Sequence, residues 1–237
     1  MINKLKEAIK RSKKIVFFTG AGMSTDSGIP DFRSETGLYK TNLSAEEMIS
    51  HHYFVQNTES FYEFYKEKMV FKDARPNFGH KFIAELEKDP NKEVIVVTQN
   101  IDGLHQMAGS SKVYELHGSI HRNYCMNCHK FYPLKKVVEA NTVPYCDACK
   151  GVVKPDVVLY EEGLDEETIE GAVNAIASAD MMVILGTSLN VYPAASFVRY
   201  FNGQCLAIIN KSSTSADSMC DIVIHDGISE TFKKVME

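Results

Sequence analysis

Short apolar runs recur along the chain, and amphipathic segments separate them. The runs are rich in valine, isoleucine and phenylalanine and end at glycine or polar residues, which is typical of strands buried on both faces of a sheet. The segments between them repeat apolar residues at helical spacing, as Ile2, Leu5 and Ile9 do near the N-terminus. The aromatic residues of 54–71 have the same spacing, which predicts one helix there. This alternation predicts an α/β fold with a doubly wound parallel sheet. The predicted strands are 15–18, 94–98, 113–116, 181–185, 204–210 and 221–225.

Polar residues follow five of these predicted strands. Because the carboxyl ends of parallel strands meet at one edge of a sheet, we expect the polar groups to line a single ligand site. The groups are 19–33, 99–102, His117, Thr187 with Ser188, and Asn210. The first group contains Gly20-x-Gly22-x-x-Thr25, a partial dinucleotide fingerprint in which the third glycine is replaced. By itself this motif leaves an ordinary hydride-transferring dehydrogenase open.

His117 is the candidate base within this set. It follows the predicted strand 113–116, and Gly118 beside it has no side chain that would crowd a substrate. Imidazole is the side chain best able to accept a proton near neutral pH. His80, in contrast, lies within a helical pattern, so we interpret it as structural.

Four of the six cysteines form two CxxC pairs, Cys125 with Cys128 and Cys146 with Cys149. Four thiolates in two such pairs suit the tetrahedral coordination of a structural Zn²⁺ and leave no position for a catalytic water. A redox pair would need a thioredoxin-like βαβ pattern, which this region lacks. The sequence therefore predicts a structural zinc site surrounded by small antiparallel strands.

Composition narrows the possible partners and location. The net charge is −5 with both signs interspersed, which argues against a general nucleic-acid partner. No apolar stretch approaches the roughly 18 residues that a membrane span needs, so we expect no membrane association. Together with cysteines spaced for metal rather than disulfides, these features predict a soluble, cytoplasmic protein.

Five motifs taken together resemble the sirtuin family of NAD-dependent protein deacylases. They are GAGMSTDSGIPDFR at 20–33, TQNID at 98–102, His117-Gly118, the two CxxC pairs, and GTSL at 186–189. They occur in the order of the family and span nearly the whole chain. The resemblance implies a large Rossmann-type NAD-binding domain and a smaller domain made of a helical insertion and a zinc-binding module. The implied large domain comprises residues 1–30, 76–118 and 155–237; the helical part with the cofactor flap is 31–75, and the zinc-binding part is 119–154.

The resemblance also implies roles for individual residues. His117 would be the general base, Asn100 a second catalytic residue, and Asp102 the acceptor for the nicotinamide carboxamide. The residues implied to contact NAD are Ala21, Thr25, Phe32, Arg33, Gln99, Asn100, Ile101, Asp102, His117, Thr187, Ser188, Asn210, Lys211 and Ile228. The residues implied to contact the substrate peptide are Val157, Val158, Tyr160 and Val191, and the zinc ligands are Cys125, Cys128, Cys146 and Cys149.

The implied activity is NAD-dependent deacetylation of protein lysines, with acetyl-lysine proteins or peptides as partners. NAD is consumed, and nicotinamide, free lysine and O-acetyl-ADP-ribose are released. Alternatives are mono-ADP-ribosyl transfer, a preference for longer acyl chains, or an NAD-responsive acyl-lysine reader without turnover. The chain departs from the common family pattern Arg-Pro-x-Val-Val-x-Phe-Gly-Glu at Lys154, Tyr160 and Glu161, which we expect to alter its grip on the peptide.

Overall fold

The computed structural model describes residues 1–32, 37 and 45–237. Within these ranges the strands are β1 (Lys14–Thr19), β2 (Glu93–Thr98), β3 (Val113–Glu115), β4 (Gly118–Cys125), β5 (Phe131–Pro133), β6 (Val153–Val157), β7 (Met181–Leu185), β8 (Cys205–Ile209) and β9 (Ile222–Ile224). The α-helices are α1 (Ile2–Arg11), α2 (Ala45–Met48), α3 (His51–Gln56), α4 (Thr58–Lys68), α5 (Phe78–Leu86), α6 (Leu104–Ala108), α7 (Leu134–Val138), α8 (Glu166–Ala177) and α9 (Ile228–Met236). Short 3-10 helices cover Ala21–Met23, Thr25–Ser27, Ala194–Tyr200 and Asp217–Met219.

The larger sheet has the strand order β3-β2-β1-β7-β8-β9, and every pairing in it is parallel. This order confirms the predicted doubly wound α/β fold, in which the chain first winds outward from β1 and then returns to its other side. Successive residues of β1 face opposite cores. Phe17 packs with α1, α5 and α9 on one face, whereas Phe18 packs with α8 and the 194–200 segment on the other. The strands read as continuous apolar runs because both faces are covered.

A second, smaller sheet of order β5-β4-β6 is antiparallel. Its inner face packs on aromatic side chains of α3 and α4, including Phe54, Phe61 and Tyr62. The aromatic pattern at 54–71 predicts one helix, and that prediction is wrong. The chain forms two helices separated at Asn57, whose φ of −131° and ψ of 50° are not helical. The break lets rings from both helices meet edge to face, as Phe54 and Phe61 do at 5.0 Å between centroids.

Two further observations concern the boundary of the zinc-binding part and the helices. Strand β6 (Val153–Val157) runs across the position, between residues 154 and 155, at which we expect the zinc-binding part to end. Among the described residues, no helix is both long and apolar enough to span a membrane.

Gly118 links the two sheets. The sequence suggests that this glycine only leaves space beside His117, but its backbone conformation also requires glycine. It has a φ of +74°, a region that favours glycine. A Cβ there would lie 1.9 Å from the Asp156 carbonyl oxygen of the neighbouring strand. The glycine therefore allows β4 to pair with β6 directly after His117.

We expect Gly118→Ala to lower the free energy of unfolding by about 2 kcal/mol or more, because it combines backbone strain with a backbone clash. For a chain of this size the melting temperature would fall by about 4–8 °C, measured by differential scanning fluorimetry. Gly163→Ala is the matched control, since a Cβ at Gly163 meets no atom within 4 Å. Equal melting temperatures for the two variants would contradict this account.

Candidate active site and metal centre

A cleft of about 480 Å³ lies at the carboxyl edge of the large sheet, against the side of the smaller sheet. The structure brings together in its lining every predicted NAD-contacting and peptide-contacting residue that it describes. Of all the predicted NAD and peptide contacts, only Arg33 lies outside the described residues. The expectation that polar groups after several strands share one site therefore agrees with the geometry.

Glycine turns form the part of the cleft at the switch point between β1 and β7. The Gly20 and Gly22 amides donate to the Leu185 and Gly186 carbonyls at 3.0 and 2.8 Å. A Cβ on Gly22 would lie 2.8 Å from the Gly186 Cα, so neither turn could carry a side chain at this approach. Bare backbone at the end of a parallel strand is suited to an anionic phosphate. Thr187 and Ser188 lie next to these turns in the same lining.

A hydrogen-bonded group of Ser24, Asn100 and Asp102 forms another part of the lining. The Ser24 hydroxyl donates to Asp102 Oδ2 at 2.6 Å, and Asn100 Nδ2 donates to Ser24 Oγ at 3.1 Å. The Leu104 amide donates to the other carboxylate oxygen of Asp102 at 2.9 Å. Burial raises the pKa of Asp102, while these donors oppose the rise. The three side chains thus hold one another in fixed orientations.

Ser24 is the member of this group that was not among the predicted contact residues. It lies among hydroxyl-bearing residues after β1, a segment that the sequence predicts to line the ligand site. Its partners, however, lie 76 and 78 residues away, and nothing in the local pattern indicates them.

His117 projects into the cleft with one defined tautomer. Its Nδ1 lies 2.9 Å from the Gln99 carbonyl oxygen. A carbonyl oxygen only accepts, so Nδ1 carries the proton and Nε2 is left as an acceptor. Burial lowers the pKa of His117, and the hydrogen bond to Gln99 offsets only part of that effect. The imidazole is therefore neutral at pH 7, which is the form required of a general base.

The opposite side of the large sheet supplies the residues after β8 and β9. Asn210 follows β8, and its Nδ2 donates to the Ser212 carbonyl at 2.9 Å. Lys211 lies beside it, and Ile228 begins α9. Gln99 and Thr187 join the two sides of the cleft, because Gln99 Nε2 donates to Thr187 Oγ1 at 3.2 Å.

The predicted peptide-contacting residues line the cleft near the helical insertion. Tyr160 pairs with Ser50, since its amide donates to the Ile49 carbonyl at 3.1 Å and its carbonyl accepts from the His51 amide at 3.0 Å. Glu161 has a φ of +76°, the conformation for which the glycine of the family pattern is suited.

Both glutamates after Tyr160 are paired with histidines that the sequence did not single out. Glu161 accepts from the His52 amide at 3.0 Å and contacts His52 Nδ1 at 2.7 Å. Glu162 contacts His51 Nδ1 at 2.9 Å and Lys154 Nζ at 3.1 Å. The hydrogen bonds from His52 lower the pKa of Glu161. This rim of the cleft is therefore tied to the start of α3.

The four cysteines of the CxxC pairs come together in the small sheet region, with their sulfur atoms all within 4.8 Å of one another. The Sγ atoms of Cys125 and Cys149 are 3.3 Å apart, and those of Cys128 and Cys146 are 3.7 Å apart. Four sulfurs about 2.3 Å from a tetrahedral zinc would be separated by about 3.8 Å. The donor set and its spacing fit Zn²⁺, as the sequence predicts.

Comparison with known proteins agrees with the fold and identifies the family. Residues 20–193 match the Sir2 family, and the chain belongs to this family. A relative in Clostridium acetobutylicum, named NAD-dependent protein deacetylase, is 56% identical over 99% of this chain and 98% of its own length. A relative of the same name in Staphylococcus aureus is 46% identical over 98% of this chain and 96% of its own length.

Solved structures of Sir2 proteins have the same fold. One, described as a complex with p53 peptide and NAD⁺, matches with a TM-score of 0.86 and 37% identity over 100% of this chain and 97% of its own. Another, described with deacetylated p53 peptide and 3′-O-acetyl ADP-ribose, has a TM-score of 0.89 and 37% identity over 99% of this chain and 97% of its own.

We expect one zinc ion per chain, measured by inductively coupled plasma mass spectrometry on purified protein. Cys146→Ser removes a buried ligand, so it should lose most of the zinc and lower the melting temperature, because the metal stabilises the small sheet region. Cys205→Ser is the control, since Cys205 lies outside the four-cysteine group. Full zinc content in Cys146→Ser would contradict the assignment.

Proposed function

We propose that this chain is an NAD-dependent protein-lysine deacetylase, which consumes NAD and releases nicotinamide, free lysine and O-acetyl-ADP-ribose. One observation carries the proposal: a neutral His117 with an unprotonated Nε2 shares a cleft with the Ser24–Asn100–Asp102 group and the glycine turns. Membership of the Sir2 family and relatives named NAD-dependent protein deacetylase support it. So do the Sir2 structures described with NAD⁺ and with peptide.

The residues present fit NAD along the cleft. The glycine turns with Thr25, Thr187 and Ser188 would hold the phosphates, and Asn210, Lys211 and Ile228 the adenosine end. Phe32, Gln99, Asn100, Ile101 and Asp102 would surround the nicotinamide end. Asp102 accepts hydrogen bonds as a carboxylate, so it is suited to the carboxamide NH₂. Bound NAD supplies an activated ribose carbon, which the acyl oxygen of the substrate attacks as nicotinamide leaves.

His117 acts after nicotinamide leaves. Its Nε2 would accept the proton of a ribose hydroxyl as that oxygen bonds to the acyl carbon. One water would then add at the same carbon and the lysine amine would leave, which gives free lysine and O-acetyl-ADP-ribose. The Gln99 carbonyl oxygen accepts a hydrogen bond from Nδ1, 2.9 Å away, and stabilises the imidazolium that forms. Asn100 and Ser24 contribute polar groups to the lining of the same cleft. Burial of these groups keeps bulk water away from the reactive ribose.

The acetylated peptide would bind between the two units of the protein as an added strand. Strand β6 is at the edge of the small sheet, and the cleft lining continues from it through Val157, Val158 and Tyr160. Val191 lies on the facing segment. Backbone pairing of this kind supplies affinity with little dependence on the peptide sequence. With the domain boundaries that the resemblance implies, the peptide would lie between the large domain and the small one.

Mono-ADP-ribosyl transfer remains a second candidate, because it shares the expulsion of nicotinamide and the same cleft. Mass spectrometry of the products separates the two: deacetylation yields unmodified lysine and O-acetyl-ADP-ribose, whereas transfer adds ADP-ribose to a protein. The same assay with longer acyl chains tests chain-length preference, and an absence of any product would indicate an acyl-lysine reader. A cytoplasmic location belongs to the proposal, since the zinc ligands need reduced thiols.

We expect His117→Ala to lower kcat for acetylated peptide by about 10²–10⁴-fold, the range of general-base catalysis, while the melting temperature stays within a few degrees. Nicotinamide and O-acetyl-ADP-ribose release would be followed by liquid chromatography and mass spectrometry. His129→Ala, at an exposed histidine outside the cleft, is the matched control and should retain wild-type turnover. Unchanged turnover in His117→Ala would show that another group is the base.

The pH profile follows from the direction of the His117 pKa. Burial disfavours the imidazolium, so the pKa lies below its ordinary value of about 6.5. The base is active when unprotonated, and kcat/KM for NAD should therefore fall only as the pH drops below about 6.5. Steady-state kinetics from pH 5 to 8 would measure the acid limb. A midpoint above pH 7, or an identical acid limb for the residual activity of His117→Ala, would contradict this.

A further inference from the structure

Two buried imidazoles lie beneath the cleft without lining it. His80 of α5 and His105 of α6 are 0% and 1% exposed, and their ring centroids are 4.7 Å apart at an interplanar angle of 62°. Burial lowers the pKa of His80 to about 4 and that of His105 well below its usual value. Both rings are therefore neutral, and each has one protonated and one bare nitrogen.

The neighbours of His80 determine which of its nitrogens carries the proton. The backbone amide of Asn77 donates to His80 Nδ1 at 3.3 Å as part of the capping box of α5. An acceptor nitrogen is unprotonated, so the proton is on Nε2. This Nε2–H is buried and has no hydrogen-bond partner among the described residues.

The neighbours of His105 determine its tautomer in the same way. The Thr19 hydroxyl donates its only proton to Thr98 Oγ1 at 2.8 Å. Thr19 Oγ1 can then only accept from His105 Nε2, which lies 3.1 Å away. Nε2 of His105 is therefore protonated, and Nδ1 is a bare acceptor. That Nδ1 is also buried without a partner in the described part of the chain.

The threonine pair connects these rings to the cleft. Thr98 Oγ1 accepts from the Asn100 backbone amide at 3.0 Å, and the Asn100 side chain donates to Ser24 Oγ at 3.1 Å. Gln99 lies between Thr98 and Asn100, and its carbonyl oxygen accepts a hydrogen bond from His117 Nδ1. The buried side of the 98–100 segment is thus held by the two threonine hydroxyls and, through Thr19, by His105.

The structure records no hydrogen bond between these two nitrogens, but their rings adjoin, and we propose that a small rotation of the rings pairs His80 Nε2–H as donor with His105 Nδ1 as acceptor and so positions Asn100 in the cleft. One ring has an unpaired donor and the adjoining ring an unpaired acceptor, so their pairing satisfies both buried groups, which are costly when left unpaired. The order of contacts is then Asn77 amide, His80, His105, Thr19, Thr98 and Asn100 amide.

Both histidines are positioning residues, because neither lines the cleft. They act on the backbone that carries Asn100 and presents the Gln99 carbonyl to His117. Catalytic groups must be held within a fraction of an ångström, and supporting hydrogen bonds provide that restraint. For its kinetic consequences this inference rests on the proposed deacetylase function.

Nuclear magnetic resonance tests the pair without reference to activity. Long-range ¹H–¹⁵N correlation spectra of the imidazoles, assigned with His80→Gln and His105→Gln, should show both rings as neutral Nε2–H tautomers from pH 6 to 8. An Nδ1–H tautomer for either ring, or protonation of either within that range, would overturn the pair.

Kinetics tests the effect on Asn100. We expect His105→Leu to lower kcat/KM for NAD by about tenfold, the equivalent of one hydrogen bond to a reacting group, with KM for acetylated peptide within about twofold of wild type. Thr98→Val should give the same loss, and the double variant should be no worse than either single variant, because both break one chain of contacts. His105→Gln, whose amide can donate to Thr19, should recover most of the loss.

Phe82→Leu is the stability control. Phe82 shares α5 with His80 but stacks on Phe232 at 4.2 Å between ring centroids, and it is not one of the contacts between Asn77 and Asn100. It should lower the melting temperature and leave kcat/KM for NAD unchanged. An equal kinetic loss in Phe82→Leu, additive losses in the double variant, or wild-type kinetics in His105→Leu would overturn the positioning role. If wild type itself releases no nicotinamide with NAD and acetylated peptide, the proposed function fails. The positioning role is then judged by NAD affinity in calorimetry, and an unchanged Kd in His105→Leu would overturn it.

Discussion

The contact between two glycine turns at the switch point of the large sheet is the constraint on which the cleft depends. Gly22 and Gly186 come so close that any Cβ on either would meet the backbone of the other. This approach is possible because β1 and β7 are adjacent and parallel, so both strands deliver their carboxyl ends to the same place. The turns leave backbone rather than side chains at the surface of the cleft, and the polar residues after β2, β3 and β8 are arranged around them.

The small sheet is attached directly to the polar wall of this cleft. The Ile120 amide donates to the Ile101 carbonyl at 3.0 Å, and His121 Nε2 donates to the Asp102 carbonyl at 3.0 Å. The His121 ring packs against Gly103, so a Cβ on Gly103 would lie only 2.7 Å from His121 Cδ2. Strand β4 therefore connects two parts of the structure, since its far end carries Cys125 of the four-cysteine group and its near end braces the segment that contains Asp102.

Local patterns were sufficient for much of the molecule. Continuous apolar runs predicted the strands of the parallel sheet because burial on both faces requires them, and the CxxC spacing predicted the four-cysteine group because tetrahedral geometry requires it. The prediction of one helix over 54–71 was wrong, because helical spacing of aromatic residues does not reveal the break at Asn57. The space beside His117 was expected from Gly118, whereas the backbone conformation of Gly118 and the approach of Asp156 are what demand glycine there.

The sequence by itself determined the type of fold, the four-cysteine group and the set of residues that would gather at one edge of the sheet. Each of these depends on periodicity or on spacing within a short segment, which a linear pattern records. Only the tertiary structure decided how those residues are oriented: Ser24 against Asn100 and Asp102, His117 with its proton on Nδ1, and His80 beside His105. These contacts join residues far apart in the chain, and hydrogen-bond direction depends on partners that only the folded arrangement supplies.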